Sequence, residues 1–303
     1  MSSPHPLLAR VSRQLMGVTA TATLIGINSP AVADECLDMI LELEKLWSRF
    51  LPTSDITRLN NSTGAPMWVD TRTVNLIRYA QSAFMATNGA FNPTLLPLQI
   101  ASGDEQSLVS PLRTAIPTTS QPWISIADIQ IDYNMVTLPD TMTLDLGGIA
   151  KGFTADLVCQ YALERGATSA CINIGGDMAI STAEESGWDV EIESPTSHLG
   201  IVDSVRVKQG GVATSSLNAR DRGEHGIPSH IFSIDGPLSS NKIIGATVIA
   251  STAAWAEAWT KYAIAMPIEE SLFLLDEHHL AARITDADGT IYTTPTWKEF
   301  QLV

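Results

Sequence analysis

Short β-branched or alternating runs and helix-period segments follow one another along this 303-residue chain without strict βαβ alternation. That order favours an α+β fold over a doubly wound parallel sheet. Leu15 to Ile27, rich in Thr, Val and Ala, reads as a first strand. Asn28-Ser29-Pro30 then opens a helix, with Ser29 able to cap and Pro30 suited to the first helical position. Leu37, Ile40, Leu41 and Trp47 give that helix an apolar face, and it ends near Arg49, short of Pro52. Ser54 to Asn60 makes a short helix capped by Ser54 or Asp55, and Thr73 to Thr87 a long one stopped by Gly89.

Residues 101–122, rich in Ser, Thr and Pro, read as a surface loop region or a short subdomain linker. Strand patterns follow in WISIADIQI, NMVTLP and TMTLDL, with turns at Asp132-Tyr133-Asn134 and Pro139-Asp140. Lys151 to Arg165 is an amphipathic helix closed by Gly166. SACINIGG is a buried strand, Trp188 to Glu193 another, and Ser204 to Thr214 a strand-turn-strand. Ile243 to Ala250 is a strand, Thr252 to Met266 a helix, and Asp288-Gly289 the turn of a last hairpin.

The formal net charge is −15, with 18 basic against 33 acidic side chains. Such a field repels phosphodiester backbones and anionic lipid, so nucleic acid and membrane partners are set aside. A phosphate site on this chain must supply its own positive potential from a helix N-terminus, a lysine or a metal ion. Cys36, Cys159 and Cys171 are far apart in apolar surroundings and read as buried free thiols, consistent with a reducing compartment. No apolar core of signal-peptide length opens the chain, and no run approaches the ~20 apolar residues a membrane span needs. A soluble, cytoplasmic protein is expected; the oligomeric state is left open.

The segment with most chemical potential is Asp145-Leu146-Gly147-Gly148-Ile149-Ala150-Lys151-Gly152, which joins a strand to a helix. Adjacent glycines let backbone approach a ligand closely, the helix start presents N–H groups to an anion, and Lys151 adds a full charge. The Walker spacing is absent, and taken alone two adjacent glycines between a strand and a helix are more often simple turn geometry. Ile174-Gly175-Gly176-Asp177 is read as another tight turn with a capping Asp. Glu257 and Lys261, four apart on a helix, fit a surface ion pair, and Trp255 and Trp259 fit core packing. The six histidines show no metal spacing, although His230 precedes the apolar Ile231-Phe232 pair and can enter a strand. No G-x-S-x-G element is present.

Taken in order, several segments resemble the ApbE family of FAD:protein FMN transferases. The resemblance runs from Leu15 to Phe300. It rests on Met16-Gly17, taken as an opening strand motif, on SRFLPTSDITRLN at Ser48 to Asn60, and on GAFNPT at Gly89 to Thr94. DLGGIAKGFTAD at Asp145 to Asp156 is its centre, followed by NIGGD at Asn173 to Asp177, ATSS at Ala213 to Ser216 and TVIASTAAWAEAW at Thr247 to Trp259. The resemblance implies one ApbE-like (T-fold-like) domain over residues 1–303, with antiparallel sheets packed against helices and an FAD site between the halves. It implies transfer of FMN from FAD, with Mg2+, to a threonine hydroxyl of a partner protein, releasing AMP. Met16, Phe50, Ala90, Phe91, Asn92, Asp145 and Lys151 would contact FAD. Apolar groups would hold its rings, and Asp145 would accept a ring or sugar hydrogen bond. The carbonyl of Gly148 would be a metal ligand. His230 is the implied base for the acceptor hydroxyl, with Glu257 the alternative.

Three stretches depart from the family pattern. Its late helix carries an Asp and, four residues on, a Thr that both ligate Mg2+, where this sequence has Glu257 and Lys261. Glu still offers a hard oxygen ligand, whereas an ammonium has only donors. Lys261 therefore either neutralises phosphate in place of metal or pairs with Glu257. After His230 the family reads His-x-[IL]-Asp-Pro-x-Thr-Gly, whereas this chain has His230-Ile231-Phe232-Ser233-Ile234-Asp235-Gly236-Pro237 and loses the Asp-Pro and Thr-Gly pairs, and Asn92 replaces an Asp. Two other readings remain on the same fold: a non-catalytic FAD-binding protein, and an FAD pyrophosphatase giving FMN and AMP.

Overall fold

The computed structural model describes residues 7–107, 110–123, 125–196, 200–217, 232–233, 236–237 and 243–302. The chain begins with a hairpin, β1 (Leu7–Leu15) and β2 (Val18–Gly26), paired from Leu7↔Gly26 to Leu15↔Val18. Met16 and Gly17, expected within an opening strand, are instead its two-residue turn. Both have positive φ (52° and 77°), as the tight turns that match strand twist require. Helix α1 (Ser29–Trp47) starts one residue before the expected position, and Ser29 does not cap it: its Oγ donates to the Gly26 carbonyl at 2.9 Å. Helix α2 (Asp55–Asn60) is capped by Ser54, which accepts from the Thr57 N–H. Strand β3 (Met67–Trp68) and helix α3 (Thr71–Ala86) follow, the helix capped by Asp70. A short helix, α4 (Leu96–Ala101), leads into the 101–122 segment.

Of the three strands expected between Trp123 and Asp145, two form in shortened versions, β4 (Gln130–Asp132) and β5 (Met135–Thr137), which make a three-stranded sheet with β3. The TMTLDL stretch joins no ladder. The Asn60 side chain replaces a neighbouring strand by accepting from the Leu144 N–H at 2.7 Å and donating to the Leu144 carbonyl at 2.9 Å. Helix α5 (Ala150–Glu164) is not one-sided as expected. Ala155, Val158 and Ala162 are buried, and so are Gly152 and Cys159, because the helix packs against sheet and helices at once.

Strands β6 (Ala167–Ile174), β7 (Asp177–Thr182), β8 (Trp188–Glu193), β9 (Ile201–Val207) and β10 (Gln209–Ser216) come next. The expected strand-turn-strand at Ser204 to Thr214 is corrected: β9 pairs with β8 in a separate two-stranded sheet, while β10 lies between β7 and β13 in the main sheet. A minor pairing joins β11 (Phe232–Ser233) to β12 (Gly236–Pro237). Strand β13 (Ile243–Ala250), helices α6 (Ala253–Ala265) and α7 (Ile268–Glu277), and the hairpin β14 (Ala281–Asp286) and β15 (Ile291–Thr293) complete the chain.

The main sheet has eight strands in the order β1-β2-β6-β7-β10-β13-β14-β15, antiparallel throughout. Alternation along each strand assigns its faces. Ala20, Ala22 and Leu24 of β2 and Ala170, Ile172 and Ile174 of β6 pack under α1 and α5. Ala213, Ala246 and Val248 pack under α6 with Trp259 and Tyr262. The opposite face is covered by Val190, Ile192, Val205 and Val207 of the β8–β9 sheet and by Trp297. Leu24, Leu37 and Ile40 are fully buried, and each contributes about 1.5–3 kcal/mol by leaving water. Among the described residues no helix is long and apolar enough to cross a membrane.

Candidate functional site

The turn entering α5 is shaped by Asp145. Its N–H donates to the Pro93 carbonyl at 2.8 Å, which sets the GAFNPT loop beside the turn. Its Oδ1 accepts from the Gly147 N–H at 2.9 Å, and its Oδ2 lies 3.3 Å from Arg49 Nε. Arg49 is only 5% exposed. Its remaining nitrogens donate to Thr114 Oγ1 at 3.0 Å, the Asp104 carbonyl at 2.8 Å and Asp104 Oδ2 at 3.0 Å, while its guanidinium lies 4.4 Å from the Phe50 ring centre. The 101–122 segment is thus tied to the turn through one buried arginine. Asn92 holds the same neighbourhood: its Oδ1 accepts from the Thr94 N–H and hydroxyl, and its Nδ2 donates to the Trp123 carbonyl at 3.0 Å.

Gly148 sits between an aromatic ring and a lysine stem. A Cβ there would lie 3.4 Å from Phe91 Cε2 and 3.7 Å from Lys261 Cε. Phe91 itself is anchored by its N–H to Thr87 Oγ1.

One turn further on, two helices and a strand deliver a cluster of charge. Lys151 comes from the first turn of α5, Glu257 from α6, and Asp177 from the start of β7 after Gly175 and Gly176, both at positive φ. Lys151 Nζ donates to Glu257 Oε1 at 2.7 Å and to Asp177 Oδ2. The other oxygen of Glu257 accepts from the Gly152 N–H at 2.8 Å. Glu257 is fully buried, and Asp177 Oδ1 is buried with no hydrogen-bond partner among the described residues. Burial, reinforced by the Glu257 charge, pushes the Asp177 carboxyl up to about 6 against the pull of Lys151 and Lys261. Burial alone would lower the Lys151 ammonium, but the two carboxylates outweigh it and hold it above its ordinary range.

Gly152 is a packing requirement. A Cβ there would stand 2.5 Å from the Ala253 carbonyl oxygen and 2.7 Å from the Ala254 nitrogen. The α5–α6 contact that brings Glu257 to Lys151 depends on its absence. Asp156, one turn along α5, caps α6 by accepting from the Ala253 and Ala254 N–H groups at 2.8 and 2.9 Å. Burial pushes its carboxyl up to about 6, although those two N–H groups oppose the shift.

Lys261 does not take Glu257 as its partner, which removes the surface ion pair expected from their spacing. It donates to Ser215 Oγ at 2.7 Å and Thr260 Oγ1 at 3.3 Å. Trp255 and Trp259 pack as expected: Trp259 is fully buried edge-on to Tyr262, and Trp255 stands edge-on to Tyr79.

Gly148, Phe91, Lys261, Lys151 and Glu257 therefore gather around one turn, with Asp145, Phe50 and Asn92 bound to its approach. Ala90 is partly buried against the core under α6, and Met16 lies at the β1–β2 turn packed on the core under α1 and α5. His230 lies outside the described residues. Arg49, Asp177, Ser215 and Thr260 also border the site, and no spacing or motif of their own marks them in the sequence. Asp177 and Ser215 sit in NIGGD and ATSS, so their signal was membership of a matching segment.

The donor set does not fit a divalent cation at Gly148 and Glu257. Each oxygen of Glu257 already accepts one hydrogen bond, and the second side chain expected to ligate is an ammonium with no lone pair. The Lys151 ammonium already bonds both carboxylates, and the Lys261 ammonium stands beside Gly148. Among the described residues no group of three or more His, Cys, Asp and Glu side chains converges.

The ApbE family profile matches residues 16–284. An FAD:protein FMN transferase of Klebsiella pneumoniae (strain 342) is 26% identical over 268 residues, covering 86% of this chain and 83% of that protein. One of Escherichia coli (strain K12) is 24% identical over 316 residues, covering 94% and 87%. The crystal structure of the ApbE protein from Thermotoga maritima superposes with a TM-score of 0.86 at 22% identity, over 98% of this chain and 100% of that one. The flavin transferase ApbE from Vibrio cholerae gives 0.80 at 21%, over 97% and 99%. These solved structures share the mixed fold of helices on antiparallel sheet.

Proposed function

The chain belongs to the ApbE family, and on that premise we propose that it is an FAD:protein FMN transferase whose acceptor is a threonine hydroxyl on a partner protein. The observation that carries this reading is the Asp145 to Gly152 turn, where Gly148 is half-buried between Phe91 and Lys261 and two lysines gather beside a helix start. In an otherwise acidic protein, Lys261 and the helix start bring positive charge to that backbone, while the charge of Lys151 is shared with Asp177 and Glu257.

The reaction is phosphoryl transfer at the FAD pyrophosphate. The acceptor oxygen bonds to the phosphorus of the FMN half, the bond from that phosphorus to the bridging oxygen breaks, and AMP leaves with that oxygen. The hydroxyl proton passes to a base. Catalysis of this kind is mostly positioning and charge neutralisation. Phe91, Phe50, Ala90 and Met16 are the apolar contacts for the flavin and adenine rings. Asn92 and Asp145 are the polar ones, and Lys151 faces phosphate. His230 is the base that the family resemblance supplies. Glu257, held by Lys151 and the Gly152 N–H, serves to fix the lysine. Mg2+ is expected from the resemblance alone, and no step above is routed through it.

The test is to incubate the protein with FAD and a candidate acceptor bearing an exposed threonine, then measure AMP and flavin fluorescence retained on the denatured acceptor. AMP with a labelled acceptor supports transfer. AMP with unlabelled acceptor points to the pyrophosphatase reading, and FAD binding with no AMP under any condition sinks both enzymatic readings.

A further inference from the structure

Lys261 crosses Gly148 with its stem and is held at its far end by a directed chain of hydroxyls. Thr260 Oγ1 donates to the Glu257 carbonyl at 2.7 Å. Its proton is therefore committed, so in the 2.7 Å contact between Ser215 Oγ and Thr260 Oγ1 the serine donates. The lone pairs of both hydroxyls are then left to accept from Lys261 Nζ, at 2.7 and 3.3 Å. A chain polarised in one direction strengthens each of its bonds. Ser215 and Thr260 are both buried, so the ammonium is located by a built feature rather than by solvent. Lys151, three residues after Gly148 in the chain, is located by Asp177 and Glu257. The result is two fixed ammoniums near one glycine turn, with Lys261 standing where a second oxygen ligand would be needed.

We infer that Lys261, acting with Lys151, supplies the positive charge at the FAD pyrophosphate that a divalent cation would otherwise supply, so that this protein binds and cleaves FAD without Mg2+. This rests on the flavin-transferase reading of the site. An ammonium beside the turn repels a divalent ion from the same space, and it offers a phosphate oxygen a charge-assisted hydrogen bond.

The test uses the full chain with FAD and with Mn2+ as a spectroscopic stand-in for Mg2+. Fluorescence quenching gives FAD affinity in EDTA and in excess Mg2+, and paramagnetic resonance reports Mn2+ bound in the presence and absence of FAD. The wild type should bind FAD with equal affinity in both media and bind no stoichiometric Mn2+. Lys261→Thr should lose FAD affinity in EDTA by about tenfold or more, the size of one charge-assisted hydrogen bond, recover it with Mg2+, and bind one Mn2+. Lys261→Arg, which keeps the charge, should stay metal-independent and shows whether loss in the threonine variant is only misfolding. Stoichiometric Mn2+ on the wild type, or FAD affinity that requires Mg2+, overturns the inference. If FAD fails to bind in either medium, the flavin-transferase reading falls, and the Mn2+ measurement on wild type and Lys261→Thr still decides whether lysine has displaced metal.

Discussion

Lys151 and Glu257 stand 106 residues apart in the chain and 2.7 Å apart in the fold. The pair exists because α5 and α6 cross without a side chain between them at Gly152, whose N–H binds the second oxygen of the same carboxylate. Removing Glu257 leaves a buried N–H without its acceptor and takes one counter-charge from Lys151. Glu257→Ala should cost about 3–5 kcal/mol, the usual penalty for breaking a buried pair, and Glu257→Gln clearly less, because it keeps an acceptor for Gly152. Urea denaturation of the two variants checks the order; equal losses would mean that charge and acceptor do not contribute separately.

Gly152→Ala should destabilise by about 1–3 kcal/mol or more, since the new methyl meets backbone atoms that cannot rotate away. Gly166 provides the contrast. It ends α5 at φ 95° with open space around it, so Gly166→Ala should cost only about 1–2 kcal/mol of backbone strain. If the Gly152 variant also lowers FAD affinity while the Gly166 variant does not, the α5–α6 crossing positions Lys151.

Arg49 links Asp145 to Asp104 and Thr114 and is almost wholly buried. Arg49→Lys retains the charge but cannot hold three partners in the plane of a guanidinium. It should cost about 2–4 kcal/mol and render the 101–122 segment more susceptible to limited proteolysis than the rest of the chain. Unchanged cleavage would show that the segment is held by other contacts.

Asp156 binds its proton more tightly folded than unfolded, since burial raises its carboxyl from the ordinary value to about 6. Between about pH 4 and pH 6 the folded state keeps a proton that the unfolded state has released, so this group's contribution to stability is present at low pH and lost as pH rises. Against Asp156→Asn, the wild type should therefore lose up to about 2 kcal/mol of relative stability from pH 4 to pH 6.5. Paired denaturation curves at the two pH values measure it, and a difference of the opposite sign would show that the capping N–H groups outweigh burial.

The antiparallel sheet on helices was legible as an α+β order, and so were α3, α5, α6 and the last hairpin. Where the reading failed, a side chain or a neighbouring sheet took over from local pattern. TMTLDL alternates like a strand, but Asn60, from a helix 84 residues earlier, satisfies Leu144 on both its backbone groups. Ser204 to Thr214 reads as one hairpin because hairpins are what such spacing usually makes, yet β8 and β7 compete for its two halves and each captures one.

The sequence by itself determined the turn at Asp145 to Gly152, the helix that follows, and the family to which the chain belongs. Those depend on glycines, caps and periodicity acting over a few residues, and on matching segments in a shared order. Only the tertiary structure decided what surrounds that turn. Glu257 and Lys261, four apart on one helix, look like partners for each other, but α6 turns them to different neighbours, Lys151 with the Gly152 N–H for one and Ser215 with Thr260 for the other. Spacing along a helix states which residues share a face; which groups from other elements meet that face is set by how the helices cross.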